Sequence, residues 1–248
     1  MTIAENLDEV RGRIAAAARR AGRSAAEITL VAVSKTFPAD RIREAWAAGQ
    51  RDFGENKVQE GLQKIADTAD MVDTSGSAPR VPRWHLIGHL QSNKARKAGA
   101  AFSVIQSVDS LDLLQRLDGA ATDRPADNPP LEVLVQVDLA SEATKFGAEP
   151  SEATRIVRAA LEVRSLTLAG LMLMPPWNED QEKTRPWFAR IRKFRDRLID
   201  EGVPAASLRH LSMGMSHDYE AAIEEGATIV RVGTAIFGRR PVPPRGEP

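Results

Sequence analysis

Lys35 is the residue in this sequence best placed to act as a nucleophile. It follows the apolar run Leu30-Val31-Ala32-Val33 and then Ser34, so its stem leaves a segment patterned for burial. Desolvation there disfavours the ammonium form and leaves an amine able to attack a carbonyl carbon. The same position also suits a lysine that lays its stem along a strand end and reaches water with its charge. Two clusters of small residues late in the chain bear on that choice. One is Ser212, Gly214 and Ser216; the other is Gly233, Thr234 and Gly238. Glycines let a backbone approach a ligand closely, hydroxyls add donors, and the N–H groups of a helix start hold phosphate. Arg231 stands just before the second cluster. A carbonyl-seeking amine, a phosphate cup and an arginine together fit pyridoxal 5′-phosphate. Beside its ring, a guanidinium takes no proton from the pyridine nitrogen and leaves it a weaker electron sink. The alternative for Arg231 is a core-edge arginine paired with a neighbouring carboxylate.

These groups need elements that bring them together. Eight short apolar or β-branched runs occur, at 28–34, 51–53, 83–88, 102–108, 131–139, 166–174, 207–213 and 228–233. Several are apolar at nearly every position, as parallel strands covered on both faces are. Amphipathic stretches alternate with them. Ser110 and Ser151 sit where helix N-caps belong, and Pro186 marks a helix start or a kink. An extra helix comes first, with Ile3, Leu7, Val10, Ile14 and Ala17 on one stripe. Eight strand–helix units predict a single-domain (β/α)8 barrel over residues 1–240 with a tail at 241–248. The rival is an open doubly wound sheet, which the missing G-x-G-x-x-G after the first strand disfavours. In a barrel the chemistry gathers at the C-terminal strand ends. Those ends carry Lys35, Asn56, His85 to His89, Met172 to Pro176, Ser212 to Ser216, and Arg231 to Thr234. Segments 73–83 and 122–130 read as loops on their turn chemistry.

Composition narrows the classes further. The chain has 248 residues, with 34 basic and 34 acidic side chains and a net charge of zero, which argues against a dedicated nucleic-acid or membrane-surface binder. It has no cysteine, which excludes disulfides, thiolate metal sites and cysteine nucleophiles and fits a reducing compartment. No apolar run approaches the roughly 18 residues of a membrane span, and the N-terminal helix is interrupted by charge where a secretory signal is continuous. A cytoplasmic location is expected. His85 and His89 are four apart, but along a strand that spans about 13 Å, too far for one metal ion. No metal is expected, and His85 is read as hydrogen-bonded near the barrel mouth. Lys94, Arg96 and Lys97 read as a solvated helix face.

The segments VAVSKTFPADRIREA, FGENKVQE, WHLIGHLQSNKAR, QSVDS, LMLMPP and LSMGMSHDYEAAIEEGATIVRVGTAIFG span residues 30–238. In order, spacing and identity they resemble the pyridoxal 5′-phosphate homeostasis protein family, the YggS/PROSC group. The resemblance implies a barrel like the N-terminal domain of alanine racemase and a Schiff base between pyridoxal 5′-phosphate and Lys35. It also implies phosphate contacts from Ser212, Gly233 and Thr234, a ring nitrogen near Arg231, and a pocket lined by Asn56 and Met213. His85 joins these as a candidate cofactor contact. The chain departs from the family pattern at Lys57, where tyrosine is common, at His217, where an acidic residue is common, and at Lys145-Phe146-Gly147. Two roles follow. One is a monomeric carrier that holds the cofactor reversibly, buffers its aldehyde and passes it to apo-enzymes. The other is an amino-acid racemase, which needs a second acid/base opposite Lys35. The single tyrosine, Tyr219, falls in a helix where packing is expected, which leaves His85 as the available second group.

Overall fold

Alternation of inward and outward side chains on eight strands, interrupted by register shifts at three of the strand pairings, organises the molecule. The structure, a computed structural model, describes residues 1–76, 79–124, 129–140 and 146–239. The strands are β1 (Thr29–Val33), β2 (Asp52–Glu55), β3 (Arg83–Leu86), β4 (Val104–Val108), β5 (Leu131–Val137), β6 (Leu166–Leu173), β7 (His210–Met215) and β8 (Ile229–Val232). Each pairs in parallel with the next, and β1 pairs with β8, so the sheet closes into a barrel. The open-sheet alternative is thereby excluded. The helices are α1 (Ile3–Arg20), α2 (Ala39–Ala47), α3 (Val58–Asp67), α4 (Ala95–Ala101), α5 (Leu111–Ala121), α6 (Pro150–Glu162), α7 (Arg185–Asp200), α8 (Tyr219–Glu224) and α9 (Thr234–Phe237). The expected tail at 241–248 and Lys145 lie outside the described residues.

The period of two sorts the core into two layers. Ala32, Phe53, Trp84, Leu86, Ile105 and Val230 face outward into the layer shared with the helices. Val31, Val104, Leu134, Ala169, Met172 and Ile229 form a smaller interior cluster. The stripe Ile3, Leu7, Val10, Ile14 and Ala17 of α1 is buried, at roughly 1.5–3 kcal/mol for each large aliphatic side chain. Thr2 closes its first turn in a reciprocal capping box with Glu5.

Two local expectations need correction. Ser151 does not cap α6: Glu149 is the cap, Pro150 begins the helix, and Ser151 lies inside it. A proline at the first helical position has its φ already set and lacks the orphan N–H, so it starts the helix one residue earlier. The seventh strand begins at His210, because Ala205–Leu208 forms a 3-10 turn. Ser110 does cap α5, accepting from Leu113 N–H at 3.3 Å. Pro186 marks a helix start, since α7 begins at Arg185. Segment 73–83 is tied by an antiparallel bridge between Asp73 and Arg80, and Arg83 belongs to β3.

Candidate functional site

A cavity of about 150 Å³ opens at the C-terminal ends of the strands. It is lined by Val33, Lys35, Asn56, Ile87, Met174, Met215, Ser216, Arg231, Gly233 and Thr234. Parity explains the membership. Val31, Val33 and Lys35 share the inward face of β1 and its continuation, while Ala32 and Ser34 face out. Asn56 follows Glu55 in the same way on β2. Lys35 is half-buried in the wall. Among the described residues of this lining the ionisable side chains are Lys35 and Arg231.

Arg231 is 3% exposed. Its Nη1 donates to Ser212 Oγ at 2.6 Å and its Nη2 to the Leu173 carbonyl at 2.9 Å. It is therefore not the carboxylate-paired arginine that the sequence left open. Burial lowers its pKa to about 10, against a small opposing effect of the Asp218 charge, so it remains a cation at neutral pH. On the other side of β1, Asn56 Oδ1 is buried without a hydrogen-bond partner, an acceptor left for a donor on a ligand. At the rim, Ser216 Oγ accepts from Gly233 N–H at 3.2 Å. A Cβ on Gly233 would come within 3.3 Å of the Val33 carbonyl oxygen, so glycine permits the close approach of β8 to β1 there. The first N–H groups of α9 follow immediately and have no intrahelical acceptor.

The turn that carries Lys35 is held from behind. Lys64, 6% exposed, donates to the Ser34 carbonyl at 2.7 Å, to Glu55 at 2.8 Å and to Glu60 at 2.7 Å. Ser34 Oγ donates to the same Glu55 oxygen at 2.6 Å, and Glu60 accepts the Thr36 backbone N–H at 2.5 Å. Residues on both sides of Lys35 are thus fixed by one buried charged cluster. Burial raises the Glu55 pKa against the opposing bonds from Lys64 and Ser34, and its second oxygen has no partner. Burial also acts to raise Glu60, but its bonds to Lys64 and Thr36 outweigh this and hold it low.

Of the eight residues assigned from sequence, Lys35, Asn56, Arg231, Gly233 and Thr234 meet in this cavity. Ser212, Met213 and His85 do not. Ser212 and Met213 are neighbours on a strand and point to opposite faces, and neither lines this cavity. Ser212 lies in the barrel interior below the pocket, and Met213 packs in the outer layer. A bulge in β7 then re-aims the chain. Ser212 pairs with Ile229 but Met215 with Arg231, three steps against two. Gly214 makes it possible with φ of 92°, and a Cβ there would sit 2.6 Å from the Ala222 Cβ. Met215 and Ser216 consequently stand where Met213 and Ser212 were expected. His85 is fully buried between Asp52 and Gln106 rather than at the mouth. Tyr219 packs in the outer layer beneath Arg13 of α1.

The departures fall around the rim. Lys57 is exposed at the start of α3. His217 sits 6.2 Å from the Trp177 ring, and Phe146 stacks on His89 at 3.8 Å. His89 also approaches Asp109 at 3.3 Å. A larger cavity of about 360 Å³ lies at the opposite end of the barrel, lined by Arg83, Arg124, Glu132 and apolar neighbours. Its Arg83 and Glu132 are already paired at 2.7 Å.

Residues 6–241 match the alanine racemase, N-terminal domain, family. A pyridoxal phosphate homeostasis protein of Pseudomonas aeruginosa is 46% identical over 239 residues, covering 96% of each chain. The chain belongs to this family of pyridoxal phosphate homeostasis proteins. The structure of PipY from Synechococcus elongatus PCC7942, solved with PLP bound, is 38% identical and superposes with a TM-score of 0.80 over 96% of this chain and all of PipY. An alanine racemase of Clostridium difficile 630 shares the fold alone, at 17% identity and a TM-score of 0.66 over 98% of this chain and 58% of the racemase. No helix among the described residues is long and apolar enough to cross a membrane.

Proposed function

We propose that this chain holds pyridoxal 5′-phosphate covalently on Lys35, keeps its aldehyde out of free solution and releases it to apo-enzymes. The observation that carries the reading is the cavity itself: a lysine amine beside the buried Arg231 guanidinium, a hydroxyl and glycine rim, and an orphaned acceptor on Asn56. Arg231 is a buried cation whose bonds go to a hydroxyl and a carbonyl rather than a carboxylate, which is costly, and a doubly charged phosphate ester offsets that cost. Ser216, Gly233 and Thr234 would take the phosphate, Asn56 the polar edge of the ring, and Arg231 the ring nitrogen. The Lys35 amine adds to the aldehyde carbon; a C=N bond forms and the aldehyde oxygen leaves as water with the two amine protons. When bound, the cofactor supplies an electron sink, which a cationic Arg231 weakens by leaving the ring nitrogen unprotonated. A racemase needs a second acid/base in the same cavity, and the described lining offers Lys35 alone, with His85 and Tyr219 elsewhere. The reading extends to a monomer acting in the cytoplasm, with apo-enzymes as its recipients.

The test is an absorption spectrum of the purified chain with pyridoxal 5′-phosphate, followed by borohydride reduction and an amino-acid panel. The expected result is a yellow band on the wild type, cofactor trapped on Lys35, no trapped cofactor in Lys35→Ala, and no loss of amino-acid optical activity. Equal trapping in Lys35→Ala would reject the covalent site. Turnover at enzyme rates, on the order of 1–1000 per second, that Lys35→Ala abolishes would reject the carrier.

A further inference from the structure

Arg231 is reached from the far end of the barrel by a chain of hydrogen bonds through five strands. From Arg231 on β8 it passes to Ser212 on β7 at 2.6 Å, to Gln106 on β4 at 2.6 Å, to His85 on β3 at 2.9 Å and to Asp52 on β2 at 2.9 Å. Ser212, Gln106 and His85 are fully buried, and Asp52 reaches the edge of solvent with a 21% exposed side chain.

The direction of every link is forced. A guanidinium has only donors, so Ser212 Oγ accepts from Arg231 and aims its own hydrogen at Gln106. That hydrogen requires the amide oxygen, which turns the Gln106 NH2 toward His85. An amide NH2 only donates, so His85 Nδ1 is bare and the ring hydrogen sits on Nε2. There it meets Asp52, a carboxylate that only accepts. Starting from Arg231 fixes this order, and a neutral His85 donating to Asp52 agrees with it. Flipping Gln106 would leave the Ser212 hydrogen without an acceptor, and a hydrogen on His85 Nδ1 would force that flip.

We infer that Gln106, Ser212 and His85 are positioning residues for Arg231, anchored at Asp52. They hold the guanidinium toward the ring edge of the ligand and turn an unbroken series of acceptor ends toward a buried cation that has no bonded carboxylate. Aligned bonds of this kind polarise one another and strengthen along the chain. The inference rests on the proposed function in one respect, that Arg231 faces the cofactor ring.

Two measurements test it. The first needs no ligand. Nitrogen-15 NMR of the histidine side chains, with His85 assigned by its loss in His85→Gln, is expected to show a bare Nδ1 and a protonated Nε2 at neutral pH. A hydrogen on Nδ1 overturns the relay. The second is titration of Gln106→Leu and Ser212→Ala with pyridoxal 5′-phosphate. The dissociation constant is expected to rise about tenfold, the size of losing one charge-assisted hydrogen bond. The visible band should shift, while borohydride trapping at saturation still falls on Lys35. A purely structural defect would lower trapping and leave the band of the bound fraction in place. Wild-type affinity and band position in both variants overturn the inference. If Gln106→Leu does not fold, Ser212→Ala decides alone. If the wild type takes up no cofactor, the proposed function fails, and the His85 tautomer still decides the relay.

Discussion

Lys35 and Arg231 line one cavity but are braced in opposite ways. The Lys35 turn is held through its main chain by charges: Lys64 on the Ser34 carbonyl, Glu60 on the Thr36 amide, and Glu55 between Lys64 and Ser34. Arg231 is held through its side chain by neutral groups in single file, ending in one carboxylate near solvent. The charged brace leaves one Glu55 oxygen unsatisfied, whereas every polar group of the relay has a partner. Charges suit the first task because a backbone turn must be pinned at two points by one compact cluster. Neutral groups suit the second, since they can be buried outright without the desolvation cost of an ion.

The largest effect separating the two is expected from Lys64→Met. It removes the cation shared by Glu55 and Glu60 and keeps the side-chain length. Breaking a buried pair by deleting one partner costs about 3–5 kcal/mol, to be read from urea unfolding. The matching cut on the neutral side, Ser212→Ala, is expected to cost about 1–3 kcal/mol. Equal losses would erase the contrast.

Acid separates them next, with opposite signs. Burial raises the Glu55 pKa above its ordinary 4.5, so the fold takes up that proton before the unfolded chain does. Its stabilising contribution is present below about pH 4.5 and is lost as pH rises through the raised value. His210 begins β7, two residues before Ser212. Burial, reinforced by the Arg209 charge, lowers it from 6.5 to about 4. Its contribution is present above pH 6.5 and is lost as pH falls toward 4. Unfolding free energies measured from pH 4 to 8 are therefore expected to converge with wild type at low pH for Glu55→Gln, and at high pH for His210→Gln. Curves parallel to wild type in both variants would remove the asymmetry.

The sequence shows these two regions unequally. Several barrel strands announce themselves, because a strand covered on both faces is apolar at most positions, and each of the eight runs contains a strand. Lys35, Asn56, Arg231, Gly233 and Thr234 were legible because each ends or follows such a run. Ser212 and Met213 lie outside the cavity because a bulge is a one-residue event, and Gly214 between two methionines is its only trace in the sequence. Gln106 was overlooked although it interrupts the apolar run FSVIQSV, and a polar side chain inside a buried strand must have a partner. Lys64 left no such signal. On an amphipathic helix a lysine reads as surface, and only the three-dimensional meeting of α3 with β1 and β2 buries it.

The smallest effect tests what the charged brace is for. Thr36 has φ of 69° and is the one non-glycine residue with positive φ among the described residues. A β-branched residue in that region is strained, by about 1–3 kcal/mol. Thr36→Gly relieves the strain and gives back about 0.5–1 kcal/mol in unfolded-chain entropy, for a net gain of about 1 kcal/mol. For a chain of this size that raises the melting midpoint by roughly 2–4 °C. The freed turn should also slow covalent capture of pyridoxal 5′-phosphate in stopped-flow mixing, since Lys35 loses a fixed approach. A fall in the midpoint with unchanged capture would mean that Thr36 holds the turn by its own contacts. Glu60 and Lys64 would then be stabilising the fold in general, and the comparison between a braced backbone and a braced side chain would fail on the lysine side.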